Sequence, residues 1–284
     1  MRRITSRQNP LVARYRAAAR DRADDLLLLD GAHLVADALD AGVHLREAVV
    51  ADVADVADAA GHAARRAEIR ALAARLTEAG VDVVAASAAV MDALSPVRSA
   101  SGIVALADRP SLDAGRMYGG GAPLVIVAVD VQDPGNLGAI VRVAEAGGAT
   151  GLVAAGRSAD PFGWKALRGS MGSALRIPVV VGEHADQAVA DARRHGCRIV
   201  AAVPRGGRSL FDINLKVPAA VLIGGEGPGL PAALVDAADD RVTIPMQSPV
   251  ESLNAAVTAA LIVYEARRQR AATEKADFGI QISD

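Results

Sequence analysis

Apolar positions along the chain fall into two blocks in which strand-like and helix-like spacings alternate. In the first block, Leu26-Leu27-Leu28-Leu29 is a short apolar run closed by Asp30-Gly31, the signature of a buried strand ending in a turn. Leu34, Val35, Ala38 and Leu39 then repeat at helical spacing. A strand near Ala48–Val50 follows, then an Ala/Arg-rich helix over about 57–80 and strands at Val81–Ala85 and Gly102–Ala107. This alternation predicts an α/β unit over residues 1–108. Residues 109–121 hold Pro, Gly and little that could pack, and read as a linker. The second block, 122–270, opens with the continuous apolar run Leu124–Val129, expected of a central parallel strand. Further strands are predicted at 152–154, 178–181, 198–203, 219–223 and 242–244, with a final helix over about 250–270. Residues 271–284 lose periodicity and read as a disordered tail.

Composition narrows the function classes. The 284 residues carry a formal charge of −2 and only three Phe, three Tyr and one Trp, too few rings for a platform that stacks several unpaired bases. No apolar run approaches the ~20 residues of a membrane helix. The basic N-terminus lacks the apolar stretch of a secretory signal. The single cysteine, Cys197, fits a buried, reduced thiol, and the five histidines show no metal-ligand spacing, so a cytoplasmic protein without metal is expected. The charge is unevenly spread. Arg2, Arg3, Arg7, Arg14, Arg16 and Arg20 occupy the first 20 residues without one acidic partner among them, and residues 21–58 then turn acidic. These arginines fit either a solvated helix face or a phosphate-contacting arm. Further clusters lie at 157–176 (Arg157, Lys165, Arg168, Arg176) and 193–208.

Three segments of the second block could carry chemistry. In Asp130-Val131-Gln132-Asp133-Pro134-Gly135-Asn136, continuing to Arg142, a strand ends and a helix opens with Asn136 near its N-cap, a respectable structural role for asparagine. Arg142 lies among apolar neighbours, where a guanidinium needs a partner. In Gly224-Gly225-Glu226-Gly227-Pro228-Gly229, the glycines suit either a tight turn or a backbone-lined binding loop, and no turn geometry requires Glu226. Its spacing matches neither a Walker loop nor a dinucleotide fingerprint. In Ile244-Pro245-Met246-Gln247-Ser248-Pro249-Val250-Glu251-Ser252-Leu253-Asn254, Ser252 and Asn254 fit a helix cap as well as a binding role.

In order and spacing, these segments together resemble the three motifs of the SpoU/TrmH family of RNA ribose methyltransferases, within the SPOUT superfamily, over about residues 122–270. The segment Trp164–Pro178 is similar to the stretch between motifs one and two. Ser6-Arg7-Gln8-Asn9-Pro10, Leu29-Asp30-Gly31-Ala32-His33 and Gly102-Ile103-Val104-Ala105 resemble the family's ribosomal-protein-like α/β/α substrate-binding domain. The resemblance implies a C-terminal α/β trefoil-knot domain and a homodimer. It also implies S-adenosyl-L-methionine bound against Gly224, Gly225, Ile244, Met246 and Leu253, with catalytic functions on Asn136, Arg142, Glu226, Ser252 and Asn254. RNA contacts are expected at Arg7, Arg14 and Arg168. The implied reaction is transfer of a methyl group to a ribose 2′-hydroxyl of structured RNA, ribosomal in preference to transfer RNA. Arg142 would stabilise the alkoxide, Asn136 would orient the ribose, and Glu226, Ser252 and Asn254 would hold Arg142 and its loop. Ser248-Pro249, Asp30 and Ser101 depart from the family's more usual residues. Two other readings stand beside this one: a knotted RNA-binding protein without catalysis, and a nicotinamide-dependent Rossmann enzyme.

Overall fold

The computed structural model describes residues 2–20, 26–52, 63–97, 101–110 and 113–277. Part of the acidic stretch (21–25 and 53–58), the start of the helix expected from 57, and residues 278–284 lie outside them. The chain divides into two compact units, Met1–Ser111 with Phe162–Arg176, and Leu112–Pro161 with Ile177–Asp284.

In the first unit, β1 (Arg2–Ile4), β2 (Leu26–Asp30), β3 (Leu45–Ala51), β4 (Asp82–Ala86) and β5 (Ile103–Asp108) form a mixed sheet in the order β1-β4-β3-β5-β2. The helices are α1 (Pro10–Ala18), α2 (Ala32–Asp40), α3 (Ala63–Glu78) and α4 (Ala88–Leu94). Asn9 starts α1 by accepting the Leu11 N–H at 3.0 Å, with Pro10 pre-set for the first turn. Leu11, Val12, Tyr15 and Ala18 are the face that α1 buries, against Leu28, Val49 and Leu106 of the sheet and Met91 and Leu94 of α4. β1 was unreadable in sequence: Arg2 and Arg3 look like a basic arm, yet they pair in parallel with Val84 and Ala85 of β4.

The second unit is a seven-stranded, all-parallel sheet in the order β10-β12-β9-β11-β6-β7-β8. Its strands are β6 (Leu124–Val129), β7 (Gly151–Ala155), β8 (Val179–Glu183), β9 (Arg198–Ala202), β10 (Arg208–Ser209), β11 (Ala219–Gly224) and β12 (Asp240–Thr243). All six residues of β6 are buried, as a strand covered on both faces requires. The helices are α5 (Pro134–Gly147), α7 (Ala185–Arg194), α8 (Ala232–Ala237) and α9 (Ala255–Asp277), while α6 (Trp164–Ser170) packs on β2 and groups with the first unit. After β12 the chain returns across the sheet to lay α9 along α5 and β11. That contact is close: a Cβ on Gly147 would lie 2.1 Å from Val263 Cγ1.

Three sequence expectations are corrected. The final helix begins at Ala255 instead of near 250, because Asn254 Oδ1 accepts the N–H groups of Ala256 (2.8 Å) and Val257 (3.3 Å) and caps it there. The same helix runs on to Asp277, so 271–277 are helical; their Ala, Glu and Lys favour helix without an apolar period to announce it. Within 109–121, a 3₁₀ turn over Ala114–Tyr118 buries Met117 against Gly151. Tyr118 packs beside it, its ring stacked on His195 with centroids 4.1 Å apart, so two side chains anchor the segment.

Candidate functional site

Parallel pairing brings the carboxyl ends of β9, β11 and β6 side by side, the edge where open α/β sheets place ligands. Gly225 N–H donates to Val129 O at 2.8 Å and ties the glycine-rich loop to the loop after β6. The approach leaves no room for side chains. A Cβ on Gly225 would sit 2.0 Å from Asp130 O, and one on Gly224 would sit 2.5 Å from Gly229 C. These glycines therefore serve backbone packing and line a cavity at once.

The N-cap of α5 is Asp133, whose Oδ1 accepts the Asn136 N–H at 2.8 Å. This corrects the capping role considered for Asn136 and leaves its side-chain amide for other partners. Asn136 Nδ2 donates to Glu226 Oε1. Asn136 Oδ1 accepts from Asn254 Nδ2 at 3.0 Å. One residue from each of the three sequence segments thus meets in a single hydrogen-bonded chain, and Asn254 caps α9 with its other amide atom.

Arg142 departs from expectation. It is exposed, and among the described residues it forms no hydrogen bond or ion pair. Helical rotation explains this: Leu137, Ile140, Val141 and Ala144 turn inward, and Arg142 shares the outer face with Gly135 and Ala146. Glu226 and Asn254 engage Asn136, not Arg142.

A cavity of about 400 Å³ opens beside this chain of bonds, and Gly224, Gly225, Ile244, Met246 and Leu253 all line it, together with Glu226, Ser252 and Asn254. That volume lies within the usual range for small-molecule sites. Val203 and Pro204, beyond β9, and Thr258 and Ile262 of α9 also line it and were missed in sequence. Only the sheet order, which sets β9 beside β11, could have pointed to the first two. Ser248-Pro249, the departure noted in the third motif, is a cis peptide. Among the described residues, Glu226 is the single charged one in the cavity wall, and apolar side chains and backbone make up much of the remainder. Such a wall fits a cationic nucleoside such as S-adenosylmethionine. A nicotinamide dinucleotide is disfavoured, because the Glu226 carboxylate would repel its pyrophosphate and the glycine spacing matches no dinucleotide fingerprint.

The three candidate RNA-contacting arginines all belong to the first unit and are exposed. Arg7 Nε donates to Ala89 O at 2.8 Å, and Arg14 pairs with Glu47 at 3.3 Å. Arg168 borders a cavity that also includes Arg65 and His33. The clusters elsewhere are more structural than their sequence suggested. Arg193 pairs with Asp239 at 3.0 Å, Arg198 binds Asp240 through Nε and Nη2, and Arg194 pairs with Asp191. Burial pushes the Asp239 carboxyl up, but the Ile199 N–H and Arg193 outweigh it and hold it below the usual range. Among the described residues, no group of three or more His, Cys, Asp or Glu is gathered as a metal site, and no helix is long and apolar enough to cross a membrane.

Fold and site define an α/β methyltransferase of the SPOUT class. The family model of the SpoU rRNA methylases matches residues 123–264, and the chain belongs to that family. Over 273 residues it is 31% identical to an uncharacterized tRNA/rRNA methyltransferase of Synechocystis, covering 94% of each chain. It is 29% identical to the 23S rRNA (guanosine(2553)-2′-O)-methyltransferase RlmP of Bacillus subtilis, over 84% of this chain and 88% of that one. Among solved structures, the AdoMet-bound rRNA methyltransferase of Sinorhizobium meliloti superposes with a TM-score of 0.81 at 27% identity, covering 94% of this chain and 97% of that one. The protein is an S-adenosylmethionine-dependent RNA methyltransferase.

Proposed function

We propose that the protein methylates a ribose 2′-hydroxyl of ribosomal RNA, working in the cytoplasm as a homodimer. The observation that carries this reading is the Glu226–Asn136–Asn254 chain of hydrogen bonds, which ties the first motif loop to a cavity lined by the second and third. The cofactor supplies a methyl group on a positively charged sulfonium, a good leaving group. The backbone around Gly224 and Gly225, with Ile244, Met246 and Leu253, would hold it, and Glu226 would offset its charge. Asn136, fixed on both sides, orients the ribose in line with that methyl. A guanidinium makes a poor general base, so Arg142 binds the neighbouring phosphate and stabilises the developing alkoxide. The hydroxyl proton leaves late, once the new bond has begun to form, or is taken by another group.

Exposed Val257, Leu261 and Tyr264 recur one helical turn apart along α9, an apolar stripe that supports pairing with a second copy. The first unit, with Arg7, Arg14 and Arg168, would hold folded RNA by phosphate contacts and shape. The preference for ribosomal over transfer RNA draws support from the likeness to RlmP. The test is to map 2′-O-methyl positions in RNA from cells with and without the gene, then to reconstitute transfer in vitro. A methylation map identical in both would end the reading.

A further inference from the structure

Of the large apolar side chains among the described residues, Phe211 is the most exposed, at 69%. The chain has only three phenylalanines, and leaving one in water forgoes the gain its burial would bring. Its position is set by register. Ser209, at the end of the edge strand β10, pairs with Thr243 of β12, and Leu210 N–H donates to Thr243 O at 2.9 Å. Leu210 is buried and anchors the turn, while Phe211, the next residue, faces solvent. Thr243 is followed directly by Ile244, a wall of the cofactor cavity, so Phe211 stands beyond the same carboxyl edge of the sheet that carries the site.

Two exposed arginines lie just upstream in the chain, and exposed Asp212 follows. Arg205 and Arg208, on either side of the Gly206-Gly207 turn, are 75% and 56% exposed. Their partners, Glu251 at 3.3 Å and Asp240 at 4.0 Å, hold them in pairs of the kind worth little in water and readily exchanged for phosphate. The apolar stripe suited to a second copy lies elsewhere, on α9. We infer that Phe211 is a base-stacking residue: it packs against an unpaired base of the RNA beside the methylated nucleotide, while Arg205 and Arg208 take the flanking phosphates. This rests on the RNA-methyltransferase reading and adds to it a specificity-determining contact.

The test uses the full chain, a protein-free 23S rRNA transcript as probe, and the variants Phe211→Ala, Phe211→Leu and Phe211→Trp. Ala and Leu should each weaken equilibrium RNA binding about 10-fold, and Trp should keep it, because stacking needs a π-face and not merely apolar area. KM for RNA should rise in parallel with kcat held, and S-adenosylmethionine affinity by calorimetry should not move. Wild-type binding by Phe211→Ala, or full rescue by Phe211→Leu, would overturn the inference. So would a loss of dimer on size exclusion in Phe211→Ala, which would give the residue to a second copy. Failure of the parent reading shows separately, as a wild-type protein that transfers no methyl; the binding series decides the stacking in either case.

Discussion

Asn254 Nδ2 donates to Asn136 Oδ1 at 3.0 Å across 118 positions of sequence, while Asn254 Oδ1 accepts the N–H groups that begin α9. Asn136 cannot turn its amide round, since its Nδ2 is committed to Glu226. Residue 254 must therefore supply both a donor and an acceptor.

The two roles of Asn254 separate by mutation. Asn254→Asp keeps the cap and loses the donor, so thermal stability should change little while single-turnover methyl transfer falls about 100-fold from a misplaced Asn136. Asn254→Ala should lose the transfer and also about 1 kcal/mol of stability. Equal melting curves for the two variants would refute the division.

Arg142 offers the opposite pattern. Exposed and unpaired among the described residues, it should be replaceable by Ala within about 0.5 kcal/mol of folding stability. Its loss should nevertheless slow transfer at saturating RNA by about 100-fold, with Lys recovering part of the rate. A wild-type rate in Arg142→Ala would remove it from the mechanism.

Gly225→Ala would place a methyl group 2.0 Å from Asp130 O. Overpacking against backbone costs about 1–3 kcal/mol, and the loop it displaces lines the cavity. Calorimetry should show S-adenosylmethionine affinity falling at least tenfold in the folded variant.

Arg270 reaches from α9 to four backbone carbonyls, those of Leu215 (2.9 Å), Ala122 (2.6 Å), Val217 (3.2 Å) and Pro123 (3.5 Å), and so ties the helix to the starts of β6 and β11. Burial of the guanidinium holds it below its usual range. Arg270→Ala should destabilise the protein by about 2–4 kcal/mol in denaturant unfolding, and Lys, with one point charge, should restore only part.

Glu47 gives a pH signature. Burial raises its carboxyl above the ordinary 4.5, although Arg14 pulls it down. A carboxyl whose folded value is raised binds more protons folded than unfolded, so its penalty grows as pH rises from about 4.5 through the folded value. Glu47→Gln should therefore raise the melting temperature at pH 7, with the gain shrinking toward pH 4.5. A gain independent of pH would contradict it.

Much of the second unit was legible because its strands are continuous apolar runs. Leu124–Val129 and Ala219–Gly224 announce themselves by burial on both faces, and the three motif loops follow from where those runs end. β1 and β10 were not legible, since Arg2-Arg3-Ile4 and Arg208-Ser209 are strands only by virtue of neighbours supplied from β4 and β12. Likewise, Met117 looked like linker until Gly151 gave it a place to pack.

The chemical inventory of the site, with Asn136, Arg142, Glu226, Ser252 and Asn254 at their spacings, stands in the one-dimensional chain, because residue type and local order are properties of sequence. Which of these groups touch is a matter of tertiary structure. The carboxylate–amide–amide chain exists because parallel pairing sets β11 beside β6 and α9 returns to cover α5, bringing together residues 90 and 118 positions apart. The same packing turns Arg142 outward and Phe211 into solvent, since the side on which a residue falls depends on what covers the element and not on its immediate neighbours in the chain.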